Sequence, residues 1–131
     1  GGSFAGCTAA FKEHDEAILC FIAEPASAAV LSGAEVTDGN HRIQGGGYSM
    51  ADLPLLHSVA VDGYVKVTDG EAVAAARRLA AEEGLFCGFS AGANAAAALK
   101  LLAGSLRGKT IAILLCDSGL KYLSTDLWPD L

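Results

Sequence analysis

The sequence is short of several things, and each shortage excludes something. Only 18% of its 131 residues are charged while 52% are apolar, the reverse of the composition that keeps a chain disordered. Lys and Arg number 9 against 15 Asp and Glu, for a net charge of −6. No basic run occurs, so nucleic acid is not an expected partner. Every apolar run is far below the roughly 20 residues that a membrane-spanning helix needs. No charged region followed by an apolar stretch marks a signal peptide at the amino end. The expected location is therefore cytoplasmic, with no membrane partner. Proline is scarce, at 3 residues, and the 16 glycines lack the three-residue period of a fibrous repeat.

The four cysteines, Cys7, Cys20, Cys87 and Cys116, form no C-x-x-C pair, and the three histidines lie away from them. A zinc site needs clustered ligands, so no metal is expected and the thiols read as free and buried. What the chain does have is apolar residues, in unusual number for its length. Small domains bury a smaller share of their surface than large ones. Part of this apolar surface is expected to belong against a segment outside the chain.

Periodicity divides the chain into alternating elements. An apolar face over residues 4–14 predicts a helix, and the unbroken apolar run at 17–23 predicts a strand buried on both sides. A short helix is expected over 26–32, a loop over 33–50, a helical turn over 54–58 and a strand over 63–67. Thr68 and Glu71 have the spacing of a capping box, and Gly84 stands where a helix ends, which frames a helix over 72–83. Further strands are predicted at 85–89 and 110–115, with an alanine-rich helix between them over 90–103 and a short helix near Tyr122. Strands alternating with helices predict an α/β fold, three layers with a mainly parallel sheet and flanking helices. In such sheets ligands bind beyond the carboxyl ends of the strands.

Four segments at those ends carry chemistry. Gly1-Gly2-Ser3 opens a helix, where bare backbone and free N–H groups suit a phosphate. Gly45-Gly46-Gly47 offers either a plain loop or a place for a flat ligand against backbone. Gly88-Phe89-Ser90-Ala91-Gly92 matches the G-x-S-x-G of a nucleophile elbow. That fold needs a histidine after the serine, and His14, His41 and His57 all precede it. The simpler reading is a tight turn with Ser90 as N-cap. Asp117, after a predicted strand, either caps the next turn or offers a carboxylate to a protonated ring nitrogen.

Taken in order, these segments resemble the C-terminal portion of cysteine synthase (O-acetylserine sulfhydrylase) and related pyridoxal-phosphate-dependent β-replacement enzymes. The resemblance runs over nearly the whole chain. It is carried by Gly1-Gly2-Ser3-Phe4-Ala5-Gly6, Glu24-Pro25, His41-Arg42-Ile43-Gln44-Gly45, Val67-Thr68-Asp69, Glu82-Glu83-Gly84-Leu85, Gly88-Phe89-Ser90-Ala91-Gly92-Ala93 and Tyr122-Leu123-Ser124-Thr125. It implies the C-terminal part of the large domain of the tryptophan-synthase-β-like fold. Residues 1–131 would then be a partial cofactor-binding domain, the N-terminal half of the enzyme lying outside them. The implied reaction replaces the leaving group of a serine derivative such as O-acetylserine with sulfide, giving cysteine. The implied partners are a small amino-acid substrate and a second copy of the complete enzyme.

The resemblance also implies sites. Gly1, Gly2 and Ser3 match the end of the family's G-T-G-G-T phosphate loop. Gln44, Gly45 and Gly47 match its Q-G-x-G segment beside the substrate cleft. The partner of the pyridine nitrogen is expected five residues before the tyrosine of the Y-L-S-T stretch. That position holds Asp117 rather than a hydroxyl, and a one-residue shift gives the role to Ser118. A carboxylate there would keep the ring nitrogen protonated, a stronger electron sink. None of Lys12, Lys66, Lys100, Lys109 and Lys121 matches the family's cofactor-carrying lysine. No catalytic residue is therefore expected in this segment, which alone should be inactive. Related serine- or cystathionine-type β-synthases and lyases remain alternatives. From other classes, so do a serine hydrolase built on Ser90 and a non-catalytic phosphate-binding module.

Overall fold

The computed structural model describes residues 1–129. Helix α1 spans Gly2–His14 and is followed by strand β1, Phe21–Pro25. A long irregular stretch then holds two short 3₁₀ turns, Ala26–Ala28 and Pro54–Leu56. Strand β2 is Gly63–Val67, helix α2 is Asp69–Glu83 and helix α3 is Phe89–Ala103. A last 3₁₀ turn covers Gly119–Tyr122.

β1 and β2 pair in parallel, from Phe21 opposite Gly63 to Pro25 opposite Val67. Alternation along β2 sets its two faces. Val65 and Val67 point into the core, whereas Tyr64 and Lys66 are exposed. The buried face meets the alanines of α2 and α3, among them Ala72, Ala75, Ala93 and Ala97. Small side chains allow these helices to close to backbone contact. A Cβ on Gly92 would stand 2.2 Å from the carbonyl oxygen of Ala72, so only glycine permits this approach. A second cluster, with Phe89, Ala91, Tyr122 and Leu127, seals the start of α3.

α2 begins with the capping box that its sequence encodes. Glu71 N–H donates to Thr68 Oγ1 at 3.2 Å, and Thr68 N–H donates to Glu71 Oε2 at 2.8 Å. The helix ends on Gly84 at φ +69°, a left-handed conformation that glycine adopts without strain. Long-range bonds fasten the neighbouring pieces. Lys100 of α3 donates to the carbonyl of Lys66 at 2.7 Å and to Glu71 at 2.8 Å. Arg77 of α2 donates to the carbonyls of Asp126 and Leu127. Asp62 accepts from the N–H of Cys20 at 2.7 Å and pairs with Lys12, and these contacts hold its carboxyl below the usual range.

The α/β class and the parallel pairing are as the sequence indicated. Four local expectations are corrected. The first strand starts at Phe21 rather than Ala17. The expected short helix over 26–32 is one 3₁₀ turn, Ala26–Ala28, followed by turns that Glu24 fastens by accepting from Leu31 and Ser32 N–H. Residues 85–89 make only an isolated antiparallel bridge, Cys87 with Ser118. Residues 110–115 form no strand and have no pairing partner among the described residues, and Ile113, Leu114 and Leu115 are exposed. A strand exists through its neighbour's hydrogen bonds, so an apolar run without one stays unassigned. All four thiols are free, but only Cys20 and Cys87 are buried; Cys7 and Cys116 are exposed.

Candidate functional site

Three bare-backbone segments and one carboxylate define the candidate site. The first is the start of α1. Gly1 is its N-cap, with no side-chain cap and no acidic residue in the first turn. Its leading N–H groups therefore have no intrahelical partner, and the helix dipole adds positive potential. Residues 1–3 are exposed, and Gly1 rests on Leu53 and Leu56 beside the 54–56 turn.

The second segment is the loop after β1. Gly47 adopts φ +65°, and a Cβ there would meet Pro25 at 2.4 Å and His41 Nε2 at 2.9 Å. Bare backbone thus lies directly on the end of β1. His41 Nε2 sits 2.7 Å from the Gly47 carbonyl oxygen. A carbonyl only accepts, so Nε2 carries a proton and donates, while Nδ1 is buried with no partner among the described residues. Tyr48 donates its hydroxyl to the Gln44 carbonyl at 3.0 Å, closing the loop from the other side. A cavity of about 360 Å³ opens here, lined by His41, Gln44, Gly47 and Tyr48.

The third segment is the start of α3. Gly88, not Ser90, is the N-cap. Ser90 lies inside the first turn and is buried, and its Oγ has no hydrogen-bond partner among the described residues. It faces the second segment: a Cβ on Gly45 would stand 3.4 Å from Ser90 Oγ. Asp117 comes in from the far end of the chain. Its Oδ2 accepts from Ser90 N–H at 3.1 Å and its Oδ1 from Ala91 N–H at 2.8 Å. Tyr122 closes over this corner, its ring edge-on to Phe89 at 5.0 Å. Burial, with the nearby Asp117 carboxylate second, pushes the Tyr122 phenol up to about 12.

Gln44 and Gly45 and the α3 start that Asp117 caps are therefore brought together. Gly1, Gly2 and Ser3 sit against the 54–56 turn instead. Asp117 caps α3 rather than the turn after it, while Ser118 Oγ accepts from Leu120 N–H and caps that turn. Sequence reasoning singled out Ser90 as an elbow serine or an N-cap, and the structure makes it neither. It missed the part played by His41, whose bond to Gly47 spans a loop with no periodicity to read. No histidine bonds Ser90 Oγ: His41 holds Gly47 and His57 pairs with Asp52. Lys12 and Lys100 are engaged by Asp62 and Glu71.

Residues 1–117 match the protein family described as pyridoxal-phosphate dependent enzyme. A probable cysteine synthase of Bacillus subtilis is 37% identical over 98% of this chain and 40% of its own length. Cysteine synthase A of Escherichia coli K12 is 44% identical over 82% of this chain and 33% of its own length. The crystal structure of cysteine synthase from Entamoeba histolytica superposes with a TM-score of 0.84 at 33% identity, covering 97% of this chain and 37% of that one. The chain thus spans at most 40% of the length of these curated relatives. Bare helix starts, a glycine loop on the strand end and the family match agree: this chain belongs to the pyridoxal-phosphate-dependent enzymes.

Proposed function

We propose that this chain is part of a cysteine-synthase-like enzyme that replaces the leaving group of a serine derivative, most simply O-acetylserine, with sulfide. The observation that supports the reading is the bare start of α1, where Gly1 is the N-cap with no side-chain cap and no acidic residue in the first turn, within a stretch that matches the pyridoxal-phosphate-dependent family over residues 1–117.

The residues present fit pyridoxal phosphate. The N–H groups at Gly2 and Ser3, with the Ser3 hydroxyl, would hold its phosphate at the α1 start. Asp117, whose carboxylate accepts from Ser90 and Ala91 N–H at the start of α3, would face the ring nitrogen, or its neighbour Ser118 would. When bound, the cofactor supplies an electron sink for the substrate's α-carbon. This chain's residues bind and orient. Gln44, Gly45 and Gly47 would border the amino-acid substrate, and His41 keeps that border in shape through Gly47. The lysine that carries the cofactor is assigned to a segment outside residues 1–131, together with the remainder of a larger domain. The exposed Ile113, Leu114 and Leu115 would pack against that remainder. A homodimer of the complete, cytoplasmic enzyme completes the proposal.

A neighbouring reaction is kept because the O-acetylserine-dependent cystathionine beta-synthase of Helicobacter pylori superposes nearly as well, with a TM-score of 0.83 at 31% identity. The test is borohydride trapping of cofactor on the intact source protein, followed by assays of O-acetylserine with sulfide and with amino-acid thiols. Cofactor fixed to a lysine outside these residues, with cysteine formed from sulfide, is the expected result. Preference for an amino-acid thiol moves the assignment to the neighbouring reaction. No trapped cofactor overturns both.

A further inference from the structure

Gln44 is followed by three glycines, so this stretch has almost no side chain with which to pack itself. Glycine loses more freedom on ordering than any other residue. Its shape must therefore be held from outside. The chain just before it is fastened. Arg42 N–H donates to Asp69 Oδ1 at 2.9 Å, at the start of α2, and the Arg42 guanidinium pairs with Asp126. Ile43 is buried in the core with Val65 and Val67. His41 thus stands on fixed ground. Its Nε2 reaches past the glycines and donates to the Gly47 carbonyl at 2.7 Å. Just beyond, Ser49 takes φ +59°, the one non-glycine residue with a positive φ among those described. Such a conformation is costly and persists only where its surroundings impose it. The Tyr48 hydroxyl also reaches back to Gln44, but Tyr48 is 71% exposed and its bond competes with water, whereas the His41 bond is half-buried.

We infer that His41 is a positioning residue that sets the affinity for the amino-acid substrate: by holding Gly47 it keeps the glycine border in its binding shape before substrate arrives. The inference rests on the functional reading above. A border ordered in advance costs no ordering at binding, so the bond is felt in substrate affinity and not in turnover. Stiffening the loop by another route should then replace the bond in part. Gly46 offers that route, since a Cβ there would meet nothing within 4 Å and its φ is not positive.

Steady-state kinetics on the intact protein, with O-acetylserine varied at a fixed sulfide concentration, test it. His41→Phe keeps a ring and removes the donor. It should raise the KM for O-acetylserine about tenfold and leave kcat within about twofold. His41→Gln, which keeps a donor near the Nε2 position, should restore most of the affinity. Adding Gly46→Ala to His41→Phe should recover about threefold by restricting the loosened loop. A second readout needs neither cofactor nor substrate. In cofactor-free protein, chymotryptic cleavage after Tyr48, resolved by mass, should quicken about tenfold in His41→Phe and keep the wild-type rate in His41→Gln. A fall in kcat at unchanged KM would place His41 in the chemistry and overturn the inference. So would equal cleavage in wild type and His41→Phe, or a His41→Gln protein as weak as His41→Phe. His41→Asn, too short to reach Gly47, takes the place of His41→Phe if that variant does not fold. A wild-type protein that turns over no O-acetylserine overturns the functional reading and this inference together. An unchanged KM in an active protein overturns the inference alone.

Discussion

The starts of α2 and α3 solve one problem in two ways. α2 is capped by its own first turn, through Thr68 and Glu71. α3 borrows a carboxylate from Asp117, near the far end of the chain. α1 has no side-chain cap at all. The self-sufficient start belongs to the helix that serves packing. The two starts left open, or closed only from a distance, are those that border the candidate site. A local cap stabilises a helix and nothing else, whereas a remote cap also ties distant segments to one geometry, and an absent cap leaves N–H groups for a ligand.

The sharpest way to break this contrast is to deny α3 its borrowed cap. Gly88→Val places a side chain where the Asp117 carboxylate and the Tyr122 ring already stand. A loss of about 3 kcal/mol or more is expected, read as a lower urea midpoint. Gly92→Ala should come next, at about 1–3 kcal/mol, because its methyl group meets the Ala72 carbonyl rather than a side chain that can turn away. Thr68→Ala removes only the local cap and should cost about 1 kcal/mol while leaving cofactor uptake unchanged.

Alkaline titration sharpens the comparison at the same corner. The folded protein holds the Tyr122 proton more tightly than the unfolded chain, whose phenols ionise near 10. Tyr122 therefore stabilises the fold fully below about pH 10, and that contribution is lost as pH rises toward about 12. The melting temperature should fall across that window, and Tyr122→Phe should flatten the fall. The smallest effect belongs to Glu82→Gln. Its pairing with Arg78 at 2.8 Å lies on the solvated face of α2, and the urea midpoint should not move measurably.

What could be read in the sequence follows the same division between local and remote. The limits of β2 were legible because alternation and flanking glycine act within a few residues. So was the frame of α2, where Thr68, Glu71 and Gly84 all act on their own helix. The apolar run at 110–115 was read as a strand because its residues suit one, but pairing depends on a neighbour that composition does not name. Ser90 was offered as an N-cap, yet Gly88 took that place because the approach of Asp117 and Tyr122 leaves no room for a side chain there. The glycine segments of the site were visible as motifs. That Gly45 lies against Ser90, or that His41 holds Gly47, is tertiary and left no mark on spacing.

The missing side chain at Gly92 has a mechanical consequence. Helices usually slide on each other by small repacking of interposed side chains. Here the α3 backbone touches the Ala72 carbonyl with nothing between to repack. Near the other end, Lys100 clamps α3 to Glu71 and to the carbonyl of Lys66. α2 and α3 are thus joined backbone to backbone at Gly92, with no side chain there whose repacking would let one helix slide on the other.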